Sequence, residues 1–99
     1  MSTKKETNVI EKIITELPGK YNVIFHNDEV TPMGFVVEIL VNIFSFERAK
    51  AVELMLEIHQ KGKGVAGTYI KSIAESKATL VRDVALKASY PLTVTIEKA

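Results

Sequence analysis

The side chains best suited to chemistry gather in one short run, Asn27-Asp28-Glu29-Val30-Thr31-Pro32-Met33, which sets an amide and two carboxylates in a polar loop beside a helix start. A second polar group, His59, closes a later run rich in apolar side chains, just ahead of Gly62-Lys63-Gly64. The two stretches are expected to meet around one small hydrophobic hole. Several readings compete for such a set. Asp28, Glu29, His26 and His59 carry the groups needed for general acid–base work in a small hydrolase. No cysteine nucleophile, nucleophile-elbow motif or phosphate loop accompanies them, which weighs against that chemistry. The two histidines and the acids show no recognisable metal-ligand spacing, so neither a metal nor another cofactor is expected. Each residue also has a plain structural reading. His59 near a helix C-terminus suits the dipole there, and Asp28 and Glu29 are ordinary turn formers.

Composition limits what can hold these groups in place. The chain has 99 residues and 46% hydrophobic content, enough for one compact domain with a real core but not for two. No apolar run approaches the ~20 residues of a membrane span. Residues 1 to 9 are polar and charged, unlike a secretory signal peptide. The absence of cysteine removes disulfides and thiolate sites and fits a cytoplasmic setting. Thirteen basic residues against 12 acidic ones leave a net charge of +1, far from the basic face of a nucleic-acid binder. A small soluble cytoplasmic domain with no membrane or nucleic-acid partner is the expectation.

The elements follow from periodicity. Residues 1–19 read as a flexible N-terminal extension closed by Pro18-Gly19, although Val9, Ile10, Ile13, Ile14 and Leu17 have the spacing of a docking helix. Residues 20–99 form the core domain. Tyr21 to His26 alternates as a strand, with Tyr21, Val23 and Phe25 on one side. Thr31 is placed as the N-cap of a first helix running from Pro32 to about Phe44, with Phe35, Val36, Ile39, Leu40, Ile43 and Phe44 inward. Gly34 occupies the position where a glutamate would complete a capping box. Ser45 is expected to cap a second helix that runs to about Gln60, with Glu47 in its first turn, and Gly62 stops it. That helix carries Ala51, Val52, Leu54, Met55, Leu56 and Ile58, so it reads as deeply buried or two-sided. Met55, Ile58 and His59 would form one stripe facing a pocket. Val65 to Tyr69 is a glycine-interrupted strand. A third helix spans Ile70 to Ser89, burying Ile70, Ile73, Ala74, Leu80, Val81, Val84, Ala85 and Ala88, while Lys71, Glu75, Arg82 and Lys87 face water. Pro91 ends helix formation, and Leu92, Val94 and Ile96 alternate in a last strand. The predicted class is α+β, a small antiparallel three-stranded sheet packed against three helices in the order β-α-α-β-α-β.

The run Asn27 to Val37 resembles the NDDYTPMEFVV signature of the ClpS family, adaptors that hand N-degron substrates to the AAA+ unfoldase ClpA and its ClpP protease. Agreement continues through Met55 to Gly64, Ala74-Glu75-Ser76-Lys77, Pro91-Leu92 and Glu97-Lys98-Ala99, and it covers about residues 20 to 99. The resemblance implies a non-catalytic adaptor in which Asn27, Glu29 and His59 contact the substrate's free α-amino group, with Asp28 shaping the loop and its negative potential. It further implies a pocket for the first side chain lined by Phe25, His26, Thr31, Met33, Val36, Met55, Ile58 and Leu92. Met33 is similar to the family's gatekeeper against β-branched residues. Glu75 and Lys77 resemble part of the surface that docks on the unfoldase's N-terminal domain, and the tail corresponds to an extension needed for delivery. Three departures from the pattern stand out near the site. Glu29 replaces an aspartate, His26 replaces an aliphatic pocket residue, and Gly34 replaces a glutamate. A scaffold module of the ribosomal-stalk type, whose fold the family resembles, would need no pocket.

Overall fold

Strand β1 (Lys20–His26) is the middle of a three-stranded antiparallel sheet in the computed structural model, which describes residues 19–99. Strand β2 (Lys63–Ile70) lies on one side of it and β3 (Thr93–Lys98) on the other, giving the order β2-β1-β3. Phe25 stands opposite Gly64 on β2 and Val94 on β3, and a bulge between Val23 and Ile24 shifts the β2 register. Helices α1 (Met33–Asn42), α2 (Arg48–Lys61) and α3 (Lys71–Lys87) complete the order β-α-α-β-α-β, the α+β architecture expected from periodicity.

The helices cover one face of the sheet. Val23, Phe25, Ala66 and Val94 supply the sheet side of the core, and Val36, Val37, Ile39 and Leu40 of α1 close over it. Phe44 packs edge-on to Phe25 with ring centroids 5.5 Å apart. The buried stripe of α3 is Ala74, Ala78, Val81 and Ala85, at helical spacing i, i+4, i+7 and i+11. This corrects the predicted stripe: Ile70, Ile73, Leu80 and Ala88 are exposed and Val84 is only half-buried. Small side chains let a helix lie flat on a sheet whose own inward residues are large, so the alanines turn inward and the bulkier Ile73 and Leu80 stay on the flank.

Other local expectations shift for identifiable reasons. Ile24, on the face opposite Phe25, is only 4% exposed, so the central strand is buried on both sides rather than alternating. Pro32, not Thr31, is the last residue before α1, and neither α1 nor α2 receives a side-chain cap. Ser45 takes left-handed backbone (φ 60°) in the turn between these helices instead of capping α2, and Glu47 is the residue that precedes the helix. The helix α2 buries only Ala51 and Ile58, with Val52 and Leu56 exposed, so it is one-sided. It ends at Gly62, whose φ of 92° is a conformation that costs a residue with a Cβ. At the end of α3, Ser89 is left-handed and the Tyr90 N–H donates to Ala85 O at 2.9 Å, a Schellman closure.

Two long cations act inside the fold. The guanidinium of Arg82, predicted to face water, donates through Nε and Nη2 to Val94 O at 3.2 and 2.7 Å, covering the outer edge of β3. Lys77 Nζ donates to Ile43 O at 2.8 Å, just past the end of α1, and lies over the rings of Phe44 and Tyr69.

Candidate functional site

Where β1 runs out, the chain needs a bridge to α1, and residues 27–32 form it. The Asn27 N–H donates to Gly62 O at 2.9 Å. That bond ties the loop to the end of α2 and brings His59, about one turn earlier, to the same place. Asp28 then holds the loop's shape: its Oδ1 accepts from the N–H groups of Val30 (2.8 Å) and Thr31 (2.6 Å), and its Oδ2 accepts from the Thr31 hydroxyl (2.7 Å). Partial burial pushes the Asp28 pKa up, but the bonds from Thr31 and Val30 outweigh it and hold the carboxyl below its ordinary value.

That direction fixes a pH dependence. A carboxylate with a lowered folded-state pKa stabilises the fold above its unfolded pKa of ~3.9, and the contribution disappears as pH falls through the folded value. Asp28→Ala is expected to cost about 1–2 kcal/mol at pH 7, a fall of ~4–16 °C in Tm. Thermal melts at pH 7 and pH 3 should show the gap between variant and parent shrinking at the lower pH; a gap independent of pH contradicts the assignment.

The loop, α1 and α2 enclose a cavity of about 640 Å³, within the range of small-molecule sites. Phe25, Val36, Ile58 and Leu92 are its buried apolar lining, with the buried Thr31 beside them. Met55 is half-buried, and Met33 is exposed at the mouth. Asn27, Asp28, Glu29, His26 and His59 complete the residues anticipated from sequence, and all of them border the same space. Val30 and Pro32 line it as well, unforeseen although they belong to the same loop.

The polar groups divide by what they already bond. The Asp28 carboxylate is spent on its own loop. The His26 ring lies on the sheet face opposite Phe25, with Nε2 2.7 Å from Thr95 Oγ1, so its bonding nitrogen is turned to the sheet. Among the described residues, the side chains of Asn27, Glu29 and His59 enter no hydrogen bond or ion pair, and all three are exposed. An amide oxygen, a carboxylate and an imidazole nitrogen thus stand uncommitted over an apolar lining. Glu75 and Lys77 lie on α3 and do not border the cavity. Glu75 is exposed, whereas the Lys77 ammonium is occupied by Ile43 O.

Known proteins resemble this chain in sequence and in fold. The family described as the ATP-dependent Clp protease adaptor protein ClpS matches residues 16–95. An ATP-dependent Clp protease adapter protein ClpS from Acetivibrio thermocellus is 47% identical over 94 residues, covering 95% of this chain and 91% of that one. Its counterpart from Vibrio atlanticus is 43% identical over 94 residues, covering 93% and 89%. The solved structure of Agrobacterium tumefaciens ClpS2 bound to L-phenylalaninamide superposes with a TM-score of 0.81 at 31% identity, covering 84% of this chain and 100% of that one.

Proposed function

The chain belongs to the ClpS family of Clp protease adaptors, and we propose that it captures proteins through a free N-terminal Leu, Phe, Tyr or Trp and passes them to a ClpA-type unfoldase for degradation by ClpP. The observation that carries this reading is the set of three uncommitted acceptors over an apolar cavity. A free α-ammonium is a compact cation with three N–H donors, and leaving water requires three acceptors of comparable quality. Asn27, Glu29 and His59 supply them, and a charge-assisted bond is roughly twice as strong as a neutral one. The longer Glu29 side chain reaches the ammonium directly or through a water. Below them, Phe25, Val36, Met55, Ile58 and Leu92 receive the first side chain, whose full burial contributes about 1.5–3 kcal/mol. Met33 at the mouth crowds out β-branched residues. The phenylalaninamide bound by the Agrobacterium protein carries both required features, a free amine and an aromatic side chain. No covalent step is needed, so the chain works by binding alone.

Delivery uses other surfaces. The outward side of α3 around Glu75 meets the unfoldase's N-terminal domain, and Lys77 sets its position by fastening α3 to the end of α1. Residues 1–19 act as the delivery extension of a cytoplasmic monomer; residues 1–18 lie outside the described residues. The test is His59→Ala. Its side chain is exposed and, among the described residues, enters no hydrogen bond or ion pair, so Tm is expected to stay unchanged. Affinity for a peptide beginning with leucine should fall about tenfold or more by calorimetric titration, the effect of one lost charge-assisted bond. Unchanged affinity, or loss of the thermal transition, overturns the assignment.

A further inference from the structure

Beyond the cavity, the seam between α1 and α2 stays open along its outer side. Residues 43–47 fold α2 back against α1, and Arg48 Nη1 meets Glu38 Oε2 at 2.5 Å near that turn. At the far end of the seam, Met33 and Val36 of α1 and Met55, Ile58 and His59 of α2 flank the cavity. One helical turn from the ion pair toward the cavity, Gly34 of α1 comes level with Val52 of α2. A Cβ placed on Gly34 would find no atom within 4 Å, so the α1 wall is notched there. Opposite the notch, Val52 is 37% exposed, and Leu56 on the next turn is 43% exposed. Val52, Met55 and His59 share one side of α2 at spacing i, i+3 and i+7. Val52 and Leu56 thus carry the α2 side of the cavity wall beyond the cavity as an exposed apolar strip, a shallow trough beside the open space at Gly34.

We propose that this trough takes the third side chain of a bound N-terminal peptide and selects an apolar residue at that position. The inference rests on the reading of the cavity as a site for the first residue. In an extended peptide successive side chains point to opposite sides, and each residue advances the chain by about 3.3 Å. With the first side chain in the cavity, the second points to solvent. The third returns to the protein about 7 Å further along. Along α2, Val52 lies about 4.5 Å from Met55 and about 9 Å from Ile58 on the cavity wall, and the step falls between the two. The charged side chains flanking Val52 on α2 are already paired, Arg48 with Glu38 and Glu53 with Lys50, and the hydrogen bond and charge of Arg48 lower the Glu38 pKa. A charged third residue would thus lose hydration without gaining a partner, whereas an apolar one gains buried area on Val52 and Leu56.

Calorimetric titration of peptides beginning Leu-Ser-Leu, Leu-Ser-Ser and Leu-Leu-Ser separates the outcomes. The first is expected to bind about five- to tenfold tighter than the second, and the third no tighter than the second. Val52→Ser and Gly34→Glu should each erase the advantage of Leu-Ser-Leu while leaving leucinamide binding unchanged. Gly34→Glu replaces glycine by a better helix former, so lost selectivity there cannot be ascribed to unfolding. Equal affinity for all three peptides, with leucinamide still bound, overturns the trough and leaves the cavity reading intact. A gain from leucine at the second position overturns it too. Failure of every free-amine ligand to bind overturns the cavity reading itself.

Discussion

A peptide that begins with an unmodified leucine is expected to bind this protein, and acetylating its α-nitrogen to lower the affinity at least about a hundredfold. Acetylation removes the positive charge and leaves one N–H where there were three donors. Asn27, Glu29 and His59 then face an amide that can satisfy at most one of them, while the added acetyl group crowds the rim they form. Each hydrogen bond to a charged group is worth about 1.5–3 kcal/mol, so losing two accounts for a hundredfold or more. The leucine side chain is untouched, which isolates the amine as the cause. Titration of the matched pair by calorimetry gives the ratio directly. Equal binding of both forms would mean that the cavity is read only as a hydrophobic hole, and the adaptor reading would fall.

The contrast between Asp28 and Glu29 marks how far the site was legible in the sequence. Both are acids in a polar loop, and composition alone treats them alike. What separates them is the backbone path: it turns the N–H groups of Val30 and Thr31 onto Asp28 and leaves Glu29 outward. The cavity lining was anticipated through the resemblance to the ClpS pattern; periodicity alone offered only the stripe Met55, Ile58 and His59, and could not separate a pocket wall from core. The turn of His26 away from Phe25 was implicit in the period-2 alternation of the strand. The inward stripe of α3 was misread because hydrophobicity ranks Ile73 and Leu80 above alanine, whereas close helix–sheet contact favours small side chains. The reach of Arg82 to Val94 O and of Lys77 to Ile43 O was invisible for another reason. Periodicity reports which way a residue faces, not how far a long side chain folds back to a carbonyl.

Gly64 is where fold and site are most tightly coupled, and Gly64→Ala is expected to cost about 1–3 kcal/mol through overpacking. The residue sits on β2 opposite Phe25, under α2. A Cβ there would lie 2.8 Å from Ile58 Cγ1 and 3.0 Å from Leu54 Cδ1. Leu54 Cδ1 is the tip of a flexible chain and can rotate aside. Ile58 cannot, because a β-branched side chain in a helix has one strongly preferred rotamer and this one is buried. The helix must therefore lift from the sheet, carrying with it Ile58, Met55 and His59 on the cavity wall. A fall in Tm of ~4–8 °C per kcal/mol should accompany weaker binding of leucine peptides. Gly34→Ala is the control, since its Cβ meets nothing within 4 Å and alanine favours a helix over glycine by about 0.8–1 kcal/mol. Thermal melts and leucinamide titrations of the two variants should move apart, with Gly34→Ala at or above the parent and Gly64→Ala below it in both. If Gly64→Ala melts and binds as the parent does, α2 does not rest on β2 at that point, and the cavity wall is set by something other than the glycine beneath it.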